Sequence, residues 1–183
     1  MLVVNSALVL VDIQNDYFPG GRMELHQPLA AAEQAARVLA HFRTTGAPVV
    51  HVRHVATDAD ATFFLPDTPG AEIHPLVAPA SGERLITKHS PNAFLGTDLK
   101  AQLNDLGVST LVIVGMMTHM CIDSTTRTAS DEGFDCVVVG DACATCAQRF
   151  ADVDVDAPSV HAAFLAALAG TFATVVSATE FLA

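Results

Sequence analysis

Three residues far apart in the chain carry side chains able to cooperate in acyl transfer: the carboxylate of Asp12, the ammonium of Lys88 and the thiol of Cys121. A thiol attacks a carbonyl as its thiolate, and a free cysteine titrates only near pKa ~8.5. Cys121 lies where an apolar run gives way to a helix-period stretch, so the positive end of that helix would favour the thiolate. Lys88 would add a fixed positive charge. Asp12 would accept the thiol proton and later deliver it to a leaving amine, the two roles of a positioned carboxylate. Backbone N–H groups at the turn, those of Met117 and Cys121, would hold an oxyanion. The expected chemistry is acyl transfer through a thioester, with Cys121 alkylated fast near neutral pH.

An open parallel sheet would bring these three together. Short runs of Val, Ile and Leu at 7–11, 49–52, 85–86, 111–114, 137–139 and 172–176 read as strands buried on both faces. Helical patterns lie between most of them. The first covers 29–45, with Leu29, Ala32, Ala36, Leu39 and Phe42 on one stripe and Gly46 behind it. Others cover 97–106, closed by Gly107, about 120–132, closed by Gly133, and 159–169, between Pro158 and Gly170. Such alternation requires crossover connections and a mostly parallel sheet, whose ligands sit beyond the carboxyl ends of the strands. The polar residues following the runs are Asp12, His54, Lys88 with His89, the 115–121 segment and Asp141. Taken singly, a cysteine is most simply a core residue, an aspartate a cap and a lysine a solvated charge. Three of them on the ends of three strands of one sheet point to a site. The segment 55–82, with Pro66, Pro69, Gly70, Pro75 and Pro79 and no clear period, reads as a lid or binding segment.

Composition excludes several alternatives. The 183 residues fit one domain, 1–183, and 51% hydrophobic content supplies a core. Nine Lys and Arg against 20 Asp and Glu give a net charge of −11, a field that repels phosphate backbones and argues against nucleic-acid partners. Four cysteines are too few for a disulfide framework. Residues 1–6 carry no positive stretch, and the apolar segment 160–178 is interrupted by His161, Gly170, Thr171 and Thr174, so the expectation is a cytoplasmic protein with no membrane segment. No G-x-G-x-x-G follows the first strand and no Walker A sequence occurs. Cys143 and Cys146 have the spacing of a redox pair or half a zinc site but lack a second pair. The run Asp152-Val153-Asp154-Val155-Asp156 begins like a calcium loop, but Ala157 and Ala163 occupy its Gly and Glu positions, leaving a solvated acidic loop as the expectation. No metal or cofactor is expected.

Three motifs occur in order: Asp12-Ile13-Gln14-Asn15-Asp16-Tyr17-Phe18, Lys88-His89-Ser90-Pro91-Asn92-Ala93-Phe94, and Gly115-Met116-Met117-Thr118-His119-Met120-Cys121. Together they closely resemble the isochorismatase-like cysteine hydrolases, which include nicotinamidases, N-carbamoylsarcosine amidohydrolases and isochorismatases. The resemblance implies a three-layer α/β/α fold with a six-stranded parallel sheet and an Asp–Lys–Cys triad at Asp12, Lys88 and Cys121. It also implies a cis peptide between Met116 and Met117, a small-molecule substrate, and a homo-oligomer with a subunit contact near the site. Nicotinamidases carry a metal after the second strand, where this chain reads His51-Val52-Arg53-His54. Residues three apart on a strand face opposite sides, and His74 alone does not restore the ligand set. Isochorismatases proper lack the nucleophilic cysteine that this chain has. The two-Met turn and the 62–66 segment look most like the streptothricin hydrolase branch, which implies an amide or lactam substrate. Gln14, Phe18, Phe63, Phe64, Phe94 and His119 are the expected pocket residues. The competing readings are a vinyl-ether hydrolase, and a redox scaffold in which Cys121 packs while Cys143 and Cys146 cycle.

Overall fold

The computed structural model describes residues 5–183. Among these the strands are β1 (Ser6–Val11), β2 (Val49–His54), β3 (Arg84–Lys88), β4 (Thr110–Met116), β5 (Asp135–Ala144), β6 (Gln148–Phe150), β7 (Val153–Val155) and β8 (Thr174–Val176). The α-helices are α1 (Pro28–Thr45), α2 (Leu99–Asp105), α3 (Asp123–Asp131), α4 (Ala157–Leu168) and α5 (Ala178–Leu182). Six strands form one parallel sheet in the order β3-β2-β1-β4-β5-β8. No helix among the described residues is long and apolar enough to cross a membrane.

Every residue of β1 and β4 is buried, as both-face coverage requires. Alternate β1 residues feed two separate cores. Leu8 and Leu10 join Ala32, Ala35, Val38, Leu39 and Phe42 of α1 and Phe181 of α5. Ala7, Val9 and Val11 join Leu99 and Leu103 of α2, Ala129 of α3 and Leu168 of α4. The result is the three-layer sandwich.

Of the expected α1 stripe Ala32, Leu39 and Phe42 are buried, joined by Ala31, Ala35 and Val38, while Ala36 is half-buried and Leu29 is 44% exposed. Ala is apolar enough for either face, so an Ala-rich helix leaves its buried side undecided until the sheet selects it. The 120–132 stretch divides into a π-helical turn, Thr118–Ile122, followed by α3. The expected acidic loop at 152–156 is instead partly strand. Val153–Val155 pairs antiparallel with Gln148–Phe150, and the Asp/Val alternation that suggested a calcium loop is also strand periodicity. Helix α5 begins with a Ser177–Glu180 capping box, a signal present in the sequence as S-x-x-E.

From β1 the chain builds outward to β2 and β3, then crosses to β4, β5 and β8 on the other side. The switch between β1 and β4 leaves a crevice at their carboxyl ends. There Gly115 pairs with Val11, with φ of 134°, and a Cβ on it would lie 2.0 Å from the Val11 carbonyl oxygen. Only glycine lets the two strands approach here. Gly115→Ala is expected to destabilise the fold by more than about 3 kcal/mol, because backbone must move on both central strands. Urea unfolding checks this, and a variant as stable as the parent would contradict the packing described.

Candidate active site

Asp12 follows β1 with φ of 51°, the left-handed region that Asp tolerates better than most residues. Its N–H still donates to the Val52 carbonyl at 2.9 Å, and its own carbonyl accepts from the Gln14 N–H at 2.9 Å. Held on both sides, the strained residue turns its carboxylate into the crevice. The Gln14 amide locks the neighbouring strand end. It donates to the carbonyls of His54 and Ala71, each at 2.8 Å, and accepts from the His54 N–H at 2.7 Å. All of its polar side-chain atoms therefore serve the scaffold.

Lys88 ends β3, which is separated from β1 by β2, a span of roughly 9–10 Å. Only a long side chain bridges that gap. Its Nζ lies 2.7 Å from Asp12 Oδ2 and donates to the Ser90 carbonyl at 2.9 Å and to Cys121 Sγ at 3.3 Å. A fourth neighbour, His54 Nδ1, lies at 3.2 Å. The shortest of these contacts is to the Asp12 carboxylate, which is held by the Lys88 charge and by hydrogen bonding with both Lys88 and the Cys121 thiol.

The cluster is almost closed to solvent: Asp12 and Lys88 are 0% exposed and Cys121 is 5% exposed. Burial disfavours every charge in it. For Lys88, burial is outweighed by Asp12 and Cys121, so the ammonium is held above its ordinary range. For Asp12, burial outweighs Lys88 and Cys121, and the carboxyl rises above its ordinary 3.8. Burial also pushes the Cys121 thiol up, helped by Asp12 and opposed by Lys88. Two acids therefore compete for one cation in a dry crevice, and the resting sulfur keeps its proton. Burial thus works against the thiolate that Lys88 favours. The helix end gives little help, because Cys121 lies inside the π-helical turn ahead of α3.

Two residues outside the expected set belong here. His54 is pushed down to about 4 by burial, then by Lys88 and His89, so it is neutral and accepts from Lys88. Its signal was positional: it pairs with Lys88 in the β2–β3 register. Tyr17 packs its buried ring edge-on against Phe64 at 4.6 Å. Its phenol is raised well above 10, by burial first and then by the charges of Cys121 and Asp12, which places it in the field of the cluster. Phe18, its neighbour in the chain, turns away and stacks on His74 at 3.8 Å.

The other expected pocket residues separate. Phe64 is buried, and its N–H donates to Asp16 Oδ2 at 2.6 Å. Phe63 lines a cavity of about 280 Å³ with His54, His89, Asp58 and Asp60. Phe94 packs against Phe134 at 6.3 Å, on the side of the sheet whose core also includes Cys121. His119 is tied by Nδ1 to Thr145 Oγ1 at 2.6 Å. The Met116–Met117 peptide is cis, and the Met117 carbonyl accepts from the N–H groups of Met120 and Ile122 at 3.0 and 3.2 Å. Cys143 and Cys146 are both free: the first donates to the Val139 carbonyl, and the second lies 3.8 Å from the Met117 sulfur. His51 faces Glu83, His54 faces Lys88 and His74 faces Phe18, so no three metal-binding groups converge among the described residues.

A thiol, carboxylate and ammonium on the carboxyl ends of three strands, in an α/β/α sandwich, define a hydrolase of a recognisable class. The isochorismatase domain matches residues 6–180. YddQ of Bacillus subtilis (strain 168), an uncharacterized isochorismatase family protein, is 51% identical over 98% of this chain and 99% of its own. The solved structure of a provisionally assigned isochorismatase hydrolase from Oleispira antarctica is 52% identical, with a TM-score of 0.94 over 100% of this chain and 98% of that one. Streptothricin hydrolase of Streptomyces noursei is 36% identical over 76% of this chain and 50% of its own. The chain belongs to the isochorismatase family of hydrolases.

The electrostatics carry a direct consequence. Asp12→Asn removes the charge that helps hold the Cys121 proton, so the thiol should titrate at lower pH in the variant while the fold is retained. Thiolate absorbance followed against pH measures this. An unchanged titration would mean that the carboxylate and sulfur do not share a crevice.

Proposed function

We propose that the protein is a cysteine-dependent amidohydrolase cleaving a C–N bond of a small amide, carbamoyl compound or lactam. The observation that carries this reading is the contact of one buried ammonium with both a carboxylate and a thiol, at 2.7 and 3.3 Å. The likeness to streptothricin hydrolase supports it.

As Cys121 Sγ attacks the carbonyl carbon, its proton passes to Asp12 Oδ1, and the C–S bond forms while the carbonyl becomes an oxyanion. Lys88, already donating to Sγ, stabilises the charge developing on sulfur. The N–H groups of Met117 and Cys121 receive the oxyanion. Collapse of the intermediate breaks the C–N bond, and Asp12 returns its proton to the departing nitrogen. A water then gives one proton to Asp12 as its oxygen bonds the thioester carbon; collapse breaks the C–S bond, and Asp12 passes the proton to the departing sulfur, releasing the acid and restoring the thiol. A raised thiol pKa suits this cycle, because the proton moves during attack and no stable thiolate is needed. His54 stays neutral and holds Lys88 in place without competing for the role of base.

Incubation with maleamate, N-carbamoylsarcosine and simple lactams, followed by intact-protein mass spectrometry, should reveal an acyl adduct on Cys121. Cys121→Ala should abolish turnover, and Asp12→Asn should lower kcat by ~10³-fold or more, the scale seen when one member of a catalytic triad is lost. Asp12 must be ionised to act, and its pKa is raised. Activity should therefore fall with acidification at a pH above the ordinary carboxyl value. Full turnover by Cys121→Ala would refute the mechanism.

A further inference from the structure

A π-helical turn has wider, weaker internal hydrogen bonding than an α-helix and needs support from outside. Here the turn Thr118–Ile122 carries the nucleophile, and the two N–H groups assigned to the oxyanion bracket Thr118. The support is concentrated on two consecutive residues. The buried Thr118 hydroxyl donates to the Ala144 carbonyl at 3.2 Å and meets His161 Nδ1 of α4 at 2.9 Å. His119 Nδ1 lies 2.6 Å from Thr145 Oγ1. Strand β5 and its continuation thus brace the turn from one side, and α4 does so through the His161 imidazole and the Phe164 ring, which packs edge-on against His119 at 5.9 Å.

We infer that His161 is a positioning residue for the nucleophile turn, acting through Thr118 to hold the Met117 and Cys121 amides in the relative orientation that an oxyanion requires. This rests on the reading of Cys121 as nucleophile.

Thr118 is the residue through which this works. Its carbonyl accepts from the Asp123 N–H, closing the turn, while its side chain is the turn's buried anchor to β5 and α4. A hydroxyl has one proton and two acceptor positions, so a ring nitrogen on one side and a carbonyl on the other satisfy it and fix its rotamer. Removal of the ring frees that rotamer and takes away the hydrogen-bonded tie between the turn and α4, leaving only the His119–Phe164 ring contact, and so shifts amides that must be held to within a fraction of an ångström. The ring also faces the Gly140 carbonyl, and burial keeps it neutral below its ordinary 6.5. It touches none of Asp12, Lys88 or Cys121 in any hydrogen bond, so its effect reaches the chemistry only through the turn.

His161 also lines a cavity of about 360 Å³ at the carboxyl end of β5, with His26, Gln34, Asp141, Ala144 and Thr145. That opening makes a chemical rescue possible, because free imidazole can enter the space left by a truncated ring.

The test uses the full chain and p-nitrophenyl acetate, which needs no knowledge of the natural substrate. Acetylation of Cys121 is followed by nitrophenolate release and mass spectrometry. Hydrogen exchange of the amides at 118–123 is measured in parallel. His161→Ala should slow acetylation by about 10- to 100-fold, the cost of a small misplacement of catalytic groups, and should speed exchange across the turn. His161→Asn, which keeps a donor near Nδ1, should retain most of the rate, and added imidazole should restore His161→Ala in both readouts. Thr118→Val should behave like His161→Ala, and Thr118→Ser like the parent. Equal exchange and equal acetylation in His161→Ala and parent would overturn the inference, as would loss without imidazole rescue in a variant that folds normally. If the parent itself forms no adduct at Cys121, the proposed mechanism fails, and the exchange data still decide whether His161 holds the turn.

Discussion

One buried cation organises this protein. Lys88 is inaccessible to solvent, yet its ammonium is retained because Asp12 and Cys121 both lie against it. An isolated charge in such a place would be too costly to keep, so the cluster exists only as a unit. Its composition determines its chemistry. With two acids and one ammonium in a dry crevice, burial disfavours the charged forms of both the carboxyl and the thiol. A cysteine made reactive by a helix end would instead be a thiolate at rest, open to oxidation and alkylation. Here the sulfur is buried and its thiol is pushed up by that burial.

The scaffold is arranged around that unit. The switch in strand order between β1 and β4 opens the crevice, and Gly115 lets the two strands close on each other just below it. Asp12 sits in a left-handed conformation that neighbouring backbone hydrogen bonds hold in place. Gln14 cross-links the ends of β1 and β2 to the 69–71 turn, and Gly70 lies so close to Asp16 that a Cβ there would sit 2.2 Å from its carboxylate. Asp16 in turn holds the Phe64 backbone. The long 55–82 segment is therefore sewn onto the motif that follows β1 through Gln14 and Asp16.

The division of labour among neighbouring aromatic and polar residues follows from packing. Tyr17 and Phe18 are adjacent, yet one ring enters the field of the triad and the other stacks on His74. His51 and His54 lie on one strand, yet one faces Glu83 and the other Lys88. His119 and His161, from different helical elements, both brace the turn that carries Cys121.

Much of this was legible in the sequence. Continuous apolar runs alternating with helical periods specify a parallel α/β sheet, because a strand buried on both faces must be apolar throughout. The polar residue ending each run marks the functional rim, which is why Asp12, Lys88 and Cys121 stood out together. The protonation of Cys121 was not legible, since it depends on burial and on the distance between charges contributed by separate strands. The roles of Gln14, Phe94, His54, Tyr17 and His161 were equally hidden. Periodicity says which residues lie on an element's inner side, but only the register between β2 and β3 brings His54 to Lys88, and only the packing of α4 on the turn brings His161 to Thr118. Local pattern is written along the chain, whereas contacts across forty residues depend on how finished elements settle against one another.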